Sequence, residues 1–129
     1  MAPKLWKIIS ASRTKACRVF NVRTDRACSP RTGETHDFFI VESSDWVNVI
    51  PITADQKVVL IEQYRHGVRD ITLEIPGGLI EEHDTPSVAA SRELREETGY
   101  RETEMIPLGW VHPNPALQNN RCYTFVAKD

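Results

Sequence analysis

The sequence predicts an α+β protein, a mixed β-sheet sandwich with one well-marked helix packed on it. Three observations predict this class. Short apolar runs bounded by turn residues recur along the chain, as strands do. One segment, between Asp84 and Gly99, carries helix start and stop signals at its two ends. A length of 129 residues with 40% hydrophobic side chains suffices for one core, so residues 1–129 are expected to form a single domain.

The elements follow in order. The first 35 residues read as semi-independent, with a strand from Ala16 to Arg23 and a turn at Ser29-Pro30-Arg31-Thr32-Gly33. Phe38 to Glu42 and Trp46 to Thr53 are expected strands. Ala54-Asp55-Gln56, with its turn-prone Asp, leads to a strand from Val58 to Tyr64. Ile71 to Ile75 belongs to an alternating stretch that runs into a tight turn at Pro76-Gly77-Gly78. The helix begins at Asp84-Thr85-Pro86, where Asp84 or Thr85 serves as N-cap and proline suits the first helical position. Gly99 stands where a left-handed residue ends a helix. Met105 to Val111 and Cys122 to Val126 are expected strands, separated by a rigid loop at His112-Pro113-Asn114-Pro115. No repeat, low-complexity tract or long linker divides the chain.

The chemistry lies on the helix. Glu93, Glu96 and Glu97 sit at i, i+3 and i+4, within an arc of roughly 100° of the helix surface. Like charges so placed repel by a few tenths of a kcal/mol per pair, roughly. A cation removes that cost, and magnesium suits best, because it takes hard oxygen ligands and shares its site with substrate phosphates. The plain alternative is a solvated acidic face with Arg92–Glu96 as an i,i+4 salt bridge. The segment before the helix favours the cation: the glycines let backbone approach a ligand closely, and carbonyls there can also bind metal. On this reading nothing structural requires Glu97.

Residues Gly78 to Tyr100 resemble the Nudix box, G-x5-E-x7-R-E-U-x-E-E-x-G-U, where U is a bulky apolar residue. Gly78, Arg92, Glu93, Leu94, Glu96, Glu97 and Gly99 match in register, Asp84 stands at the first Glu position and Tyr100 at the last apolar one. The flanking Ile61-Glu62-Gln63-Tyr64-Arg65 and Leu73-Glu74-Ile75-Pro76-Gly77-Gly78, with Pro115 beyond the box, are similar to the branch that cleaves ADP-ribose and other nucleoside diphosphate sugars. The resemblance implies a metal-dependent pyrophosphatase with the Nudix fold. It implies Glu93 and Glu97 as main ligands of magnesium (or manganese), with the Gly77 carbonyl contributing. Glu96 would be a further ligand or would hold a bound water, and Arg92 would orient the glutamates. The proton acceptor is a box glutamate in some branches, here Glu93, and lies in a later loop in the ADP-ribose branch. Relatives in that branch extend further, with another strand, an acidic loop and a closing helix. The chain up to Asp129 is therefore expected to be a piece of a longer protein, the alternative being a minimal variant completed by a partner.

Outside the box, Arg65 is the candidate for a diphosphate or ribose contact, and Glu74 for a substrate-binding or supporting acid. Each has the plain reading of a charged residue at a strand end. Trp46 and Trp110 could stack a purine, worth about 1–3 kcal/mol per base in nucleic-acid binding, or fill a core or dimer interface. The strand-rich segment before Trp46 exceeds what the box-bearing sheet needs, and exposed edges invite pairing; the resemblance to a branch that dimerises through its N-terminal strands implies a homodimer involving residues between Ala16 and Glu42.

Composition narrows the partners. A formal charge of −2 with scattered basic residues gives no reason to expect nucleic acid or an anionic membrane. The longest apolar runs are too short to span a bilayer, and Lys4 and Lys7 interrupt any signal-peptide core. Three cysteines without C-x-x-C spacing and four histidines without a spaced metal pair indicate neither zinc nor a disulfide framework, which fits a reduced cytoplasmic setting. The leading expectation is hydrolysis of ADP-ribose to AMP and ribose 5-phosphate. The alternatives are a house-cleaning nucleoside triphosphate pyrophosphatase and a nucleotide-sugar sensor without turnover.

Overall fold

The computed structural model describes residues 2–102 and 104–128. Among them the elements run β1 (Lys7–Ala16), β2 (Phe20–Cys28), β3 (Thr35–Ser43), β4 (Trp46–Ile52), β5 (Ile61–Arg65), β6 (Asp70–Glu74), β7 (Gly77–Leu79), α1 (Pro86–Thr98), β8 (Glu104–Val111) and β9 (Cys122–Lys128). The chain groups into two compact units: Met1–Ser43 with His112–Asn120, and Ser44–Val111 with Arg121–Asp129.

In the first unit β1, β2 and β3 form an antiparallel sheet. The hairpin between β2 and β3 closes at the expected turn, where Gly33 has φ 77° and the Ser29 hydroxyl accepts the amides of Arg31 and Thr32, each at 3.3 Å. The strand expected from Ala16 to Arg23 is a correction: β1 ends at Ala16 and β2 starts at Phe20, so that stretch straddles a turn closed by Cys17 N–H to the Phe20 carbonyl (2.9 Å). Every residue of β1 is exposed, so it carries no in-out alternation for a sequence reading to detect. Arg23 ties β2 to β3, bidentate to Asp25 (2.7 and 3.0 Å) and reaching Glu42 at 2.5 Å. The Pro113–Pro115 segment is a loop as expected, with the Asn114 carbonyl accepting the amides of Leu117 and Gln118 at 3.1 and 2.8 Å.

The second unit holds a four-stranded sheet in the order β7-β4-β9-β8. β4 runs parallel to β9, while β7 and β8 pair antiparallel with β4 and β9, so the sheet is mixed as predicted. β4 alternates: Val47, Val49 and Pro51 are buried, and Trp46, Asn48 and Ile50 turn to the other face. Proline is tolerated at 51 because β7 pairs only with Trp46 to Asn48, leaving that stretch free of β7's ladder. Helix α1 buries Ala89, Ala90 and Leu94 against Val47, Val49, Phe125 and Ala127. The two alanines admit the helix close to the sheet, and burying Leu94 contributes about 2 kcal/mol. The helix ends are as predicted: Thr85 caps through its hydroxyl to Val88 N–H (3.3 Å), Pro86 opens the first turn, and Gly99 closes it at φ 75°.

Two boundaries differ from expectation. The strand expected from Val58 begins only at Ile61; Val58 makes a lone bridge to Ile52, and Val59 N–H bonds the Pro51 carbonyl at 3.0 Å. The Pro-Gly-Gly turn is instead a short strand, with Gly77 opposite Asn48 and Gly78 opposite Val47. Neither glycine has a positive φ; they are there for closeness. A Cβ at Gly77 would collide with the Val47 carbonyl and lie 2.9 Å from Asn48 Oδ1. β5 and β6 form their own two-stranded sheet, turning through Arg69 at φ 58°.

Candidate active site on the glycine strand and helix α1

The helix that buries Ala89, Ala90 and Leu94 turns Glu93 and Glu97 toward β7, and Glu97 also toward β5. Arg92 organises the first half of the site. Its Nη1 donates to Glu93 Oε1 (2.7 Å), and its Nη2 and Nε both donate to Asp84 Oδ2 (3.0 and 3.3 Å). Nη2 also reaches the Leu79 carbonyl at 3.1 Å, and Glu96 Oε2 lies 3.5 Å from Nη1. Burial opposes the guanidinium charge, but Asp84 and Glu93 outweigh it and the pKa rises. The i,i+4 contact with Glu96 is thus real, yet it is one of several, and Glu96 itself faces solvent with 59% of its side chain exposed.

Glu93 and Gly78 fit each other: a Cβ at Gly78 would occupy the space of the Glu93 carboxylate. Glu97 is engaged at both oxygens. Gly77 N–H donates to Oε2 at 2.9 Å, and Gln63 Nε2 donates to Oε1 at 2.5 Å. The expectation that nothing structural requires Glu97 is therefore corrected: it joins α1 to β7 and to β5. From the sequence, Gln63 has no role beyond its place in the Ile61 to Arg65 resemblance, because an uncharged amide between Glu62 and Tyr64 looks like any surface glutamine.

A cavity of about 580 Å³ opens beside Gly77 and Gly78. Trp46, Arg65 and Glu74 all line it, together with Asn48, His66 and Val68. His66 and Val68, on the hairpin turn, were not singled out from the sequence. Arg65 and Glu74 are partners rather than independent residues: Nε donates to Oε1 at 2.8 Å and Nη2 to Oε2 at 2.7 Å. Trp110 is not among those lining residues; the Arg121 guanidinium lies over its ring at 4.3 Å.

Arg65, and after it the Thr72 hydroxyl, hold the Glu74 carboxyl at about 2. Its ordinary value is 4.5, so the folded value is depressed. The pair's contribution is complete above the ordinary value and fades as pH falls from there through about 2. Because nearly half of the Arg65 side chain is exposed, that contribution is about 0.5 kcal/mol. Unfolding free energies of wild type and Glu74→Gln from urea titration should differ by that small amount near neutral pH and converge as pH drops toward about 2. A gap that widens on acidification would contradict the pairing.

Among the described residues, no three acidic, histidine or cysteine side chains converge on one point as a finished metal cage. The donor set nevertheless fits a hard cation. Carboxylates from one helix face stand against a strand whose glycine leaves space at Glu93 that any other residue would fill. Each Glu97 oxygen uses one acceptor position for Gly77 or Gln63, leaving the others available.

The fold, with the glycine strand set against the acidic helix face, is that of a Nudix domain. The NUDIX domain family matches residues 44–129, and the chain belongs to that family. It is 35% identical over 122 residues to a Bacillus methanolicus protein named methanol dehydrogenase activator, covering 95% of this chain and 65% of that one. It is 42% identical over 89 residues to the ADP-sugar pyrophosphatase of Mus musculus (66% of this chain, 40% of that one). With the ADP-ribose pyrophosphatase of Bacillus subtilis it shares 29% identity over 90 residues, covering 70% and 49%. The chain thus spans less than two thirds of the length of these relatives. A crystal structure of an ADP compounds hydrolase superposes over the whole chain and 70% of its own with a TM-score of 0.87; at 23% identity this establishes the Nudix fold.

Proposed function

We propose that the protein is a divalent-metal-dependent hydrolase of nucleoside diphosphate sugars, with ADP-ribose the first candidate and AMP and ribose 5-phosphate the products. The observation that carries this reading is the single cavity in which Trp46, Arg65 and Glu74 meet Gly77 and Gly78, with Glu93 immediately behind Gly78. Two relatives named ADP-ribose and ADP-sugar pyrophosphatase support it. Magnesium, or manganese in its place, held by Glu93, Glu96, Glu97 and the Gly77 carbonyl, would neutralise phosphate oxygens and lower the pKa of water.

The chain's own residues do the rest. Arg65 exchanges Glu74 for the substrate diphosphate, a bidentate match for its fork. Trp46 offers a face to the base. Glu93, fixed by Arg92, takes the proton from the attacking water unless a later loop supplies that base. Water adds to one phosphorus, the bridging oxygen leaves with the other phosphate, and two monophosphates result. The sugar beyond the second phosphate gives remote binding energy that a bare nucleotide lacks. Incubation with magnesium and a panel of ADP-ribose, GDP-mannose and a nucleoside triphosphate tests this. Nucleotide sugars should have the higher kcat/KM. Faster turnover of triphosphates would favour a house-cleaning pyrophosphatase, and no turnover of either would favour a sensor.

A second reading comes from the relative named methanol dehydrogenase activator, whose match extends over 95% of this chain. On it, the same hydrolytic site serves to activate a dehydrogenase, and adding the protein to a methanol dehydrogenase assay distinguishes the two.

The assembly proposed is a homodimer through residues between Ala16 and Glu42. Phe20 and Phe39 there are exposed apolar side chains on one face of a three-stranded sheet, which a second copy would cover. Light scattering at tens of micromolar, roughly, should give twice the chain mass; a monomer would contradict it. A cytoplasmic setting is consistent with Cys17, Cys28 and Cys122 all being free thiols, and no described helix is long and apolar enough to cross a membrane.

A further inference from the structure

Gln63 lies on β5, two residues before Arg65, so both side chains leave the same face of that strand. Gln63 reaches Glu97 on α1 at 2.5 Å, and Arg65 reaches Glu74 on β6. The Glu97 charge also acts on Arg65, raising its pKa after the larger effect of Glu74. Among the described residues β5 and β6 pair only with each other, and no strand ladder joins the hairpin carrying Arg65 to the four-stranded sheet. The Gln63–Glu97 bond is a direct tie between that hairpin and the acidic face of the helix.

We infer that Gln63 is a positioning residue: with Gly77 N–H it fixes the plane of the Glu97 carboxylate and couples it to the placement of Arg65. Two donors on different oxygens set the rotation of the carboxylate, which one donor alone would leave free to turn. The residue type matters. A lysine at this position would neutralise Glu97 and compete with a cation for it, whereas an amide orients the carboxylate without adding charge. Arg92 does the opposite for Glu93, giving it a charged partner. Half-burial of Gln63 keeps its bond partly shielded from water without making the residue part of the core.

This role deepens the metal-dependent reading of the site and rests on it for its consequence in binding, but not for the geometry. The test compares wild type with Gln63→Met, which is similar in length and has no donor, and Gln63→Lys. Two quantities are read without substrate: Mn²⁺ affinity by paramagnetic resonance, and hydrogen exchange at the Gly77 amide. Gln63→Met should weaken Mn²⁺ binding about tenfold, the scale for residues that orient a metal ligand, and speed Gly77 exchange. Gln63→Lys should weaken Mn²⁺ at least as much while leaving Gly77 protected, because its ammonium still holds Glu97. Unchanged Gly77 exchange in Gln63→Met overturns the positioning role, whatever the metal does. Faster exchange with unchanged Mn²⁺ affinity overturns the coupling to the cation. If wild type bound no Mn²⁺ at all, the metal-dependent reading would fail, and Gly77 exchange would still decide for or against Gln63. Should Gln63→Met not fold, Gln63→Leu takes its place in both readings.

Discussion

Glu97→Gln is expected to lower turnover by a hundredfold or more while the protein stays folded. The loss should exceed the 10- to 100-fold, roughly, that follows when a group merely supporting a metal ligand is removed. Stability should change little, for a reason visible only in three dimensions. Glu97 accepts from Gly77 N–H and from the Gln63 amide. The substituted amide keeps one oxygen for Gly77, and its NH₂ can be met by the Gln63 oxygen once that amide turns over, an exchange of O and N that costs little. Turnover and urea midpoint measured on the same preparation decide the matter. Near-wild-type turnover would remove Glu97 from the chemistry, and loss of the fold would make its role structural.

Gly78→Ala should be the second severe change, again in activity more than in stability. The atoms nearest the new Cβ are the end of the Glu93 side chain, which is flexible and can swing away at a cost of about 1 kcal/mol. In swinging it gives up Arg92, and a carboxylate displaced by about 1 Å can cost on the order of a hundredfold in rate. Gly77→Ala provides the contrast. Its Cβ would strike the Val47 carbonyl, backbone that cannot move without opening the β4–β7 pair, so its cost of about 1–3 kcal/mol should appear in stability. Denaturant midpoints and kcat/KM for the two variants should therefore separate: activity lost at Gly78, stability lost at Gly77. The same profile for both would mean that the two glycines do one job.

Much of this was legible in the sequence because it depends on local signals. The helix could be placed from Thr85, Pro86 and Gly99, since caps act within a turn of the residues that make them. The acidic arc of Glu93, Glu96 and Glu97 could be read from helical spacing, whereas Arg92 as the residue that orients the glutamates came from the resemblance to the Nudix box. What was missed depends on partners distant in sequence. β1 has no buried face, so its strand nature rests on pairing with β2 and leaves no periodic trace. Gly77 and Gly78 read as a turn because proline and glycine usually mark one; the need for a backbone close to Val47 appears only once β4 is beside them. Arg65 and Glu74 were each picked out, but their pairing is not a register partnership: the β5–β6 ladder sets Arg65 opposite Asp70 and Glu74 opposite Ile61, and the two side chains meet only by reaching along the hairpin. Gln63 stayed hidden because its partner lies 34 positions away on another element.

The most direct measurement is hydrolysis of ADP-ribose in water enriched in heavy oxygen, with magnesium present. Attack on phosphorus predicts AMP and ribose 5-phosphate, with the label in one of the two phosphates and none in the ribose hydroxyls. Label in a ribose hydroxyl would place the attack at carbon, and would contradict a site in which Glu93 and Glu97 serve the diphosphate.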